Sequence, residues 1–158
     1  MRAHGGTGRV FLKAPGGTTL YSNEGQTNGV SLAAGGGAWS SVSDRNSKEN
    51  FNAVDPQQIL QSVVSLPLTT WNYKSQEKSI RHIGPMAQDF ASVFHVGEDD
   101  KHITTIDADG VALAAIQGLN QKVEENEAEI RRLKQQNDSL ERRMSELEEL
   151  IKQAVNRK

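Results

Sequence analysis

The chain has 158 residues, 24% of them charged, a formal net charge of -2 and no cysteine. That balance offers no basic field for nucleic acid or for an anionic membrane surface, and it excludes disulfides and thiolate metal sites. No apolar run approaches the ~18 residues of a membrane-spanning helix, and the stretch after Met1 lacks the apolar core of a signal peptide. A polar, Gly-rich opening of this kind is expected of a fragment of a longer protein.

Residues 1–42 carry ten of the fourteen glycines. Between them lie short strand-like runs, Arg9–Leu12, Thr18–Tyr21 and Gly29–Leu32, each bounded by Gly, Pro or Asn. The apolar residues are too few for these strands to bury one another in one chain, so they are expected to need partner chains; the alternative is a Gly-rich tether. Gly35-Gly36-Gly37 ahead of Ala38-Trp39 suggests a hinge leading to an aromatic anchor.

The junction, Ser43-Asp44-Arg45-Asn46-Ser47-Lys48-Glu49-Asn50-Phe51, holds a serine and a lysine five residues apart. This is the minimum equipment for a nucleophile served by a neutral amine. The plainer reading makes a serine here a cap and Lys48 a solvated side chain. Positions i and i+5 of a helix lie about 140° apart, so Ser43 is expected on an extended lead-in with Lys48 on the following turn. The amine accepts a proton only when uncharged, which calls for burial.

Asp55-Pro56 is a helix start, with Ile59, Leu60, Val63 and Val64 on one apolar face and an end by Pro67. Leu68–Tyr73 and Ile80–Ile83 read as strands. Pro85 opens a second short helix whose apolar side carries Met86, Ala87, Phe90 and Phe94. Trp71 and the phenylalanines are expected in the core rather than as a sugar-stacking platform. His95 and His102 flank Glu98-Asp99-Asp100, but the spacing matches no zinc or calcium pattern. Asp107-Ala108-Asp109-Gly110 lacks the later bidentate Glu of a calcium loop and reads as a turn with a helix cap. No metal or cofactor is expected.

From Ile116 a heptad runs to the end. Ile116, Val123, Ile130, Asn137, Met144 and Ile151 occupy a, and Leu119, Asn126, Leu133, Leu140, Leu147 and Ala154 occupy d. In a parallel assembly Lys122 would face Glu127, Glu129 would face Lys134 and Arg143 would face Glu148 on the neighbouring chain. Every pair attracts, which favours a parallel homo-oligomer. Branched residues at a, Leu at d and a buried Asn137 lean toward two strands, whereas Asn126 at d suits an axial polar layer of three.

The junction motif, then Leu66–Tyr73, His82–Phe90, Ile106–Gly110 and the heptads, taken together resemble the C-terminal intramolecular chaperone domain of phage endosialidase tailspikes and tail fibres. The same blocks are similar to the self-cleaving region of some membrane-tethered transcription factors. The resemblance implies an α+β fold: a small mixed domain over 43–114, a C-terminal parallel trimeric coiled coil over 115–158, and a Gly-rich fibrous β segment over 1–42. It implies a single-turnover serine endopeptidase with Ser43 as nucleophile and Lys48 as base, and Asp44, Asn50 and His82 as candidate supporting residues. The cut is expected between Val42 and Ser43, with attack in trans on Ser43-Asp44 the alternative. Ser47 stands where the family usually has an apolar residue. The implied partners are two further copies and an upstream tail-fibre segment of the same chain, with neither nucleic acid nor membrane. The implied location is the phage virion, after assembly in the bacterial cytoplasm, the chaperone fragment being released on maturation. A non-catalytic trimerisation cap and a receptor-binding tip are the competing readings.

Overall fold

A computed structural model describes residues 14–156. The strand expected at Arg9–Leu12 lies outside them. The chain divides into two compact units, the first ending at Ala53 and the second beginning at Val54. The whole is mixed α+β, with two small sheets and a long C-terminal helix.

The first unit is built on an antiparallel sheet of β1 (Thr18–Tyr21), β2 (Gly29–Leu32) and β3 (Trp39–Ser41), in the order β1-β2-β3. The two runs expected from their Thr, Val and Leu content fall where the sequence puts them. The third is new. Gly35 has a φ of 71° and Gly36 N–H donates to Ala33 O at 2.9 Å. Ala33–Gly36 therefore form a turn within the loop of a hairpin, and Trp39 belongs to a strand rather than following a loose hinge. Register aligns Leu20 with Val30 and Ser41, and Thr18 with Leu32 and Trp39. Alternation then collects Leu20, Val30, Leu32 and Trp39 on one face. The other face carries Thr19 and Ser31, whose hydroxyls meet at 3.0 Å. Leu20 and Trp39 are each about half exposed while Val30 and Leu32 are half-buried, so among the described residues the apolar face is only partly covered.

The second unit begins with α1 (Pro56–Ser65), capped by the Asp55 carboxylate, which accepts from Gln57 N–H at 2.9 Å and Gln58 N–H at 3.3 Å. Proline at the first helical position costs nothing there because its missing N–H would be unpaired anyway. Ile59, Leu60 and Val63 are half-buried, but Val64 is 78% exposed, so the apolar face is narrower than expected. β4 (Thr69–Trp71) and β5 (His82–Gly84) form a two-stranded antiparallel sheet pairing Trp71 with His82. α2 (Ala87–Phe94) starts two residues after Pro85. It buries Phe90, whose ring lies 4.8 Å from that of Phe94, and ends on His95 in the left-handed conformation.

α3 (Thr105–Val155) has 51 residues and begins well before the first heptad. Asp107–Gly110, expected as a turn, lies inside it. The reason is the cap: Thr104 Oγ1 accepts from Asp107 N–H at 3.1 Å and donates to Asp107 Oδ2 at 2.7 Å, so the aspartate belongs to the first helical turn. α1 packs against one face of α3, where Ala115 and Gly118 are buried. A Cβ at Gly118 would collide with the Pro56 carbonyl oxygen, so glycine sets how closely the two helices approach. Gln57 Nε2 adds a 2.7 Å bond to Glu125 Oε1. Lys122 first, then Gln57, hold the Glu125 carboxyl below its ordinary value.

α1 does not cover the heptad seam. Ile116, Leu119 and Val123 stay 62%, 54% and 47% exposed beside the buried Ala115 and Gly118. Farther along, Ile130, Leu133, Leu140, Met144, Leu147 and Ile151 are also exposed. Among the described residues, Phe90 and Ala115 are the only buried apolar side chains.

Candidate functional site

The junction is shaped by contacts among near neighbours in sequence. After Ser41 ends β3, Val42 N–H donates to Gly29 O at 3.0 Å, which extends the β2–β3 ladder by one residue. Asp44 then caps a 3₁₀ turn over Arg45–Ser47. Its Oδ1 accepts from Asn46 N–H at 2.9 Å and from Asn46 Nδ2 at 3.1 Å. The turn closes through Ser47 N–H to Asp44 O and Lys48 N–H to Arg45 O, both 3.1 Å.

That reversal brings the lysine side chain back over the lead-in. Lys48 Nζ donates to Ser43 Oγ at 2.7 Å, with Ser43 on extended chain and Lys48 past the turn, as the five-residue spacing requires. Asn50 follows with a φ of 57°, a conformation that asparagine tolerates better than other side-chain-bearing residues, and Asn52 Nδ2 donates to its carbonyl at 3.2 Å. Arg45 lies 5.5 Å above the Phe51 ring. This contact, which clasps the two ends of the turn, was not anticipated from the sequence; the only signal was an aromatic six residues after a cation.

The burial expected of Lys48 is not found in the single chain. Both Ser43 and Lys48 are exposed, while Ser47 is half-buried. In water a lysine amine is charged and donates to the hydroxyl. To act as base it must be uncharged, and removing it from solvent favours that form.

His82 belongs to the second unit. Its Nε2 lies 2.9 Å from Gln76 Oε1, and its ring stacks 4.7 Å from Trp71 at a 32° tilt. Tyr73 meets Trp71 edge-on at 4.9 Å. Trp71 and Tyr73, with Met86, Gln88, Lys74 and Lys101, line an open cleft of about 520 Å³. Trp71 is half-buried rather than enclosed, and its Nε1 is shielded from water without a hydrogen-bond partner. His102 Nδ1 pairs with the Asp99 carboxylate at 2.9 Å, and this bond chiefly holds the Asp99 carboxyl below its ordinary value.

An α+β module with a serine and lysine in contact at its entrance, ending in a long helix with an open apolar seam, is the class of protein these features define. Comparison with protein families places it further: residues 43–96 match the family model Peptidase_S74, described as chaperone of endosialidase. The match begins at the serine and takes in the turn, α1, both strands of the second sheet and α2. It supports the intramolecular chaperone domain that the sequence motifs suggest, and the family's name points to serine-peptidase chemistry. No curated protein and no solved structure matches the chain.

Proposed function

We propose that the chain is an intramolecular chaperone that joins three copies in parallel, assists the folding of an upstream tail-fibre or tailspike segment, and then releases itself by one self-cleavage at Val42-Ser43. The observation that carries the reading is the 2.7 Å contact of Lys48 Nζ with Ser43 Oγ at the first residue of the family match.

The chemistry follows from the atoms available. Ser43 Oγ attacks the Val42 carbonyl carbon through a five-membered ring, whereas its own carbonyl would demand a four-membered one. The hydroxyl proton passes to an uncharged Lys48 amine. The Val42–Ser43 C–N bond breaks, the Ser43 nitrogen takes up the proton, and Val42 is left as an ester on Oγ. One water then hydrolyses the ester, leaving a Val42 carboxylate and a new N-terminus at Ser43. Attack from another copy on Ser43-Asp44 is the alternative route. Covering Lys48 during assembly would favour its uncharged form, so the cut would come late, and the mature fibre would be unable to return by the path it took.

Self-association is supported by the exposed seam and by the charges beside it. In the single helix Lys122 bonds Glu125 at 2.7 Å and Glu129 bonds Arg132 at 2.6 Å. Exposed pairs of this kind contribute little to stability, so exchanging them for Glu127 and Lys134 of a neighbouring chain costs little. Three chains, rather than two, suit Asn126 at a d position and the leader strands, whose apolar face is only partly covered among the described residues. The proposed setting is a phage virion, with assembly in the bacterial cytoplasm.

The test is intact-mass spectrometry and a denaturing gel on freshly purified full chain. A break before Ser43, absent from Ser43→Ala and Lys48→Ala and so slowed about a thousandfold or more, is the expected result. A single uncut species would favour a permanent, non-catalytic trimerisation cap.

A further inference from the structure

The two halves of the proposed reaction are held by different kinds of contact. Serine, lysine and the capped turn between them are fixed by bonds spanning five residues or fewer, and these need no sheet. Val42, which carries the carbonyl to be attacked, is fixed instead by Gly29, far back in the sequence on β2.

The way it is held is uneven. Val42 lies opposite Gly29, since Val30 pairs with Ser41. Directly opposed residues of this kind exchange two hydrogen bonds in a regular antiparallel ladder. Here only one is made, from Val42 N–H to Gly29 O; among the described residues no backbone N–H donates to Val42 O. The chain leaves the sheet within the very residue whose carbonyl must react. β1 also lies close against Gly29, because a Cβ there would collide with the Leu20 carbonyl oxygen. One residue thus brings β1, β2 and Val42 into register.

We infer that pairing of β3 on β2 licenses the cut, with Gly29 as a positioning residue: its carbonyl anchors the Val42 N–H while the Val42 carbonyl stays free for Ser43 Oγ. The inference rests on the self-cleavage proposed above. A leader that has not zipped presents Val42 on mobile chain, and the reacting atoms meet only by chance. A zipped one confines the peptide, and confinement of reacting groups accounts for large rate factors. The folding state of the leader is thereby read at the bond that releases it.

The ladder supplies a test that leaves residues 42 to 51 untouched. Since Gly29/Val42 is a bonded pair, bonded and non-bonded pairs alternate, so Ser31/Ser40 is bonded and Val30/Ser41 is not. The Ser31 N–H therefore faces β3, and Ser31→Pro removes a β2–β3 backbone bond; the Thr19 hydroxyl contact across β1–β2 is lost equally in Ser31→Ala. Ser31→Ala is the control that keeps the N–H. The non-bonded pair suits a cross-strand disulfide, and the chain has no cysteine of its own to interfere, so Val30→Cys/Ser41→Cys locks β3 in place when oxidised. Cutting is followed by gel in the full chain, with sedimentation to check that assembly persists. Expected are cutting of Ser31→Ala at the wild-type rate, a tenfold or greater slowing in assembled Ser31→Pro, and cutting of the oxidised disulfide variant at least as fast as its reduced form. Equal rates in Ser31→Pro and wild type, or an oxidised variant that stalls while its reduced form is cut, overturn the licensing role alone. A wild type that is never cut overturns both the licence and the self-cleavage.

Discussion

Asn50 is the residue on which the shape of the junction turns most sharply. Its φ of 57° lies in a region that costs most side chains about 1–2 kcal/mol. Asparagine reduces that cost and glycine removes it. Asn50→Gly is therefore expected to be cut as fast as wild type, while Asn50→Val, branched at Cβ, slows cutting severalfold or more when followed by gel. Equal rates for the two would mean that this backbone conformation has no bearing on the site. Lys48 presents the converse case, a local geometry already formed in an environment that is not. Its contact with Ser43 was readable from the five-residue spacing, because a capped turn between them leaves few alternatives. Its exposure was not, since solvation depends on everything that comes to lie around it.

Among the elements, α1 and α3 show how much a single glycine decides. With Ala115 and Gly118 buried beneath α1, the seam residues on the neighbouring face of α3 stay exposed. Gly118→Ala would force the helices apart at Pro56, at a cost of about 1–3 kcal/mol. A fall in melting temperature of several degrees, measured by circular dichroism, is the expected outcome, with no such fall for Gly84→Ala, where nothing lies within 4 Å of the added carbon. Helices were the most legible part of the sequence: Asp55-Pro56 announces α1, and the heptad announces most of α3. The start of α3 was missed because Asp107–Gly110 has turn-forming composition, which the reciprocal bonds between Thr104 and Asp107 override. β3 was missed for a related reason. Trp39-Ser40-Ser41 holds only one apolar residue, and it becomes a strand because the glycine turn delivers it to the edge of β2. The Gly29–Val42 bond, and with it the positioning role of Gly29, could not be read without that strand.

At the scale of the whole molecule, the disproportion between apolar surface and core is the leading fact. Among the described residues two apolar side chains are buried, while a seam of leucine, isoleucine, valine and methionine along α3, and Leu20 and Trp39 of the leader sheet, lie open to water. Fully burying one such side chain is worth about 1.5–3 kcal/mol, so covering the seam would stabilise the chain substantially. The family match reaches from Ser43 to the end of α2, and the seam lies beyond it. The proposed chaperoning and release therefore depend together on what the seam does. Sedimentation equilibrium of the full chain at micromolar concentration addresses this most directly. A species of three chains, surviving in Ser43→Ala, is the predicted result, and a single protomer with its leader sheet already folded would contradict the account.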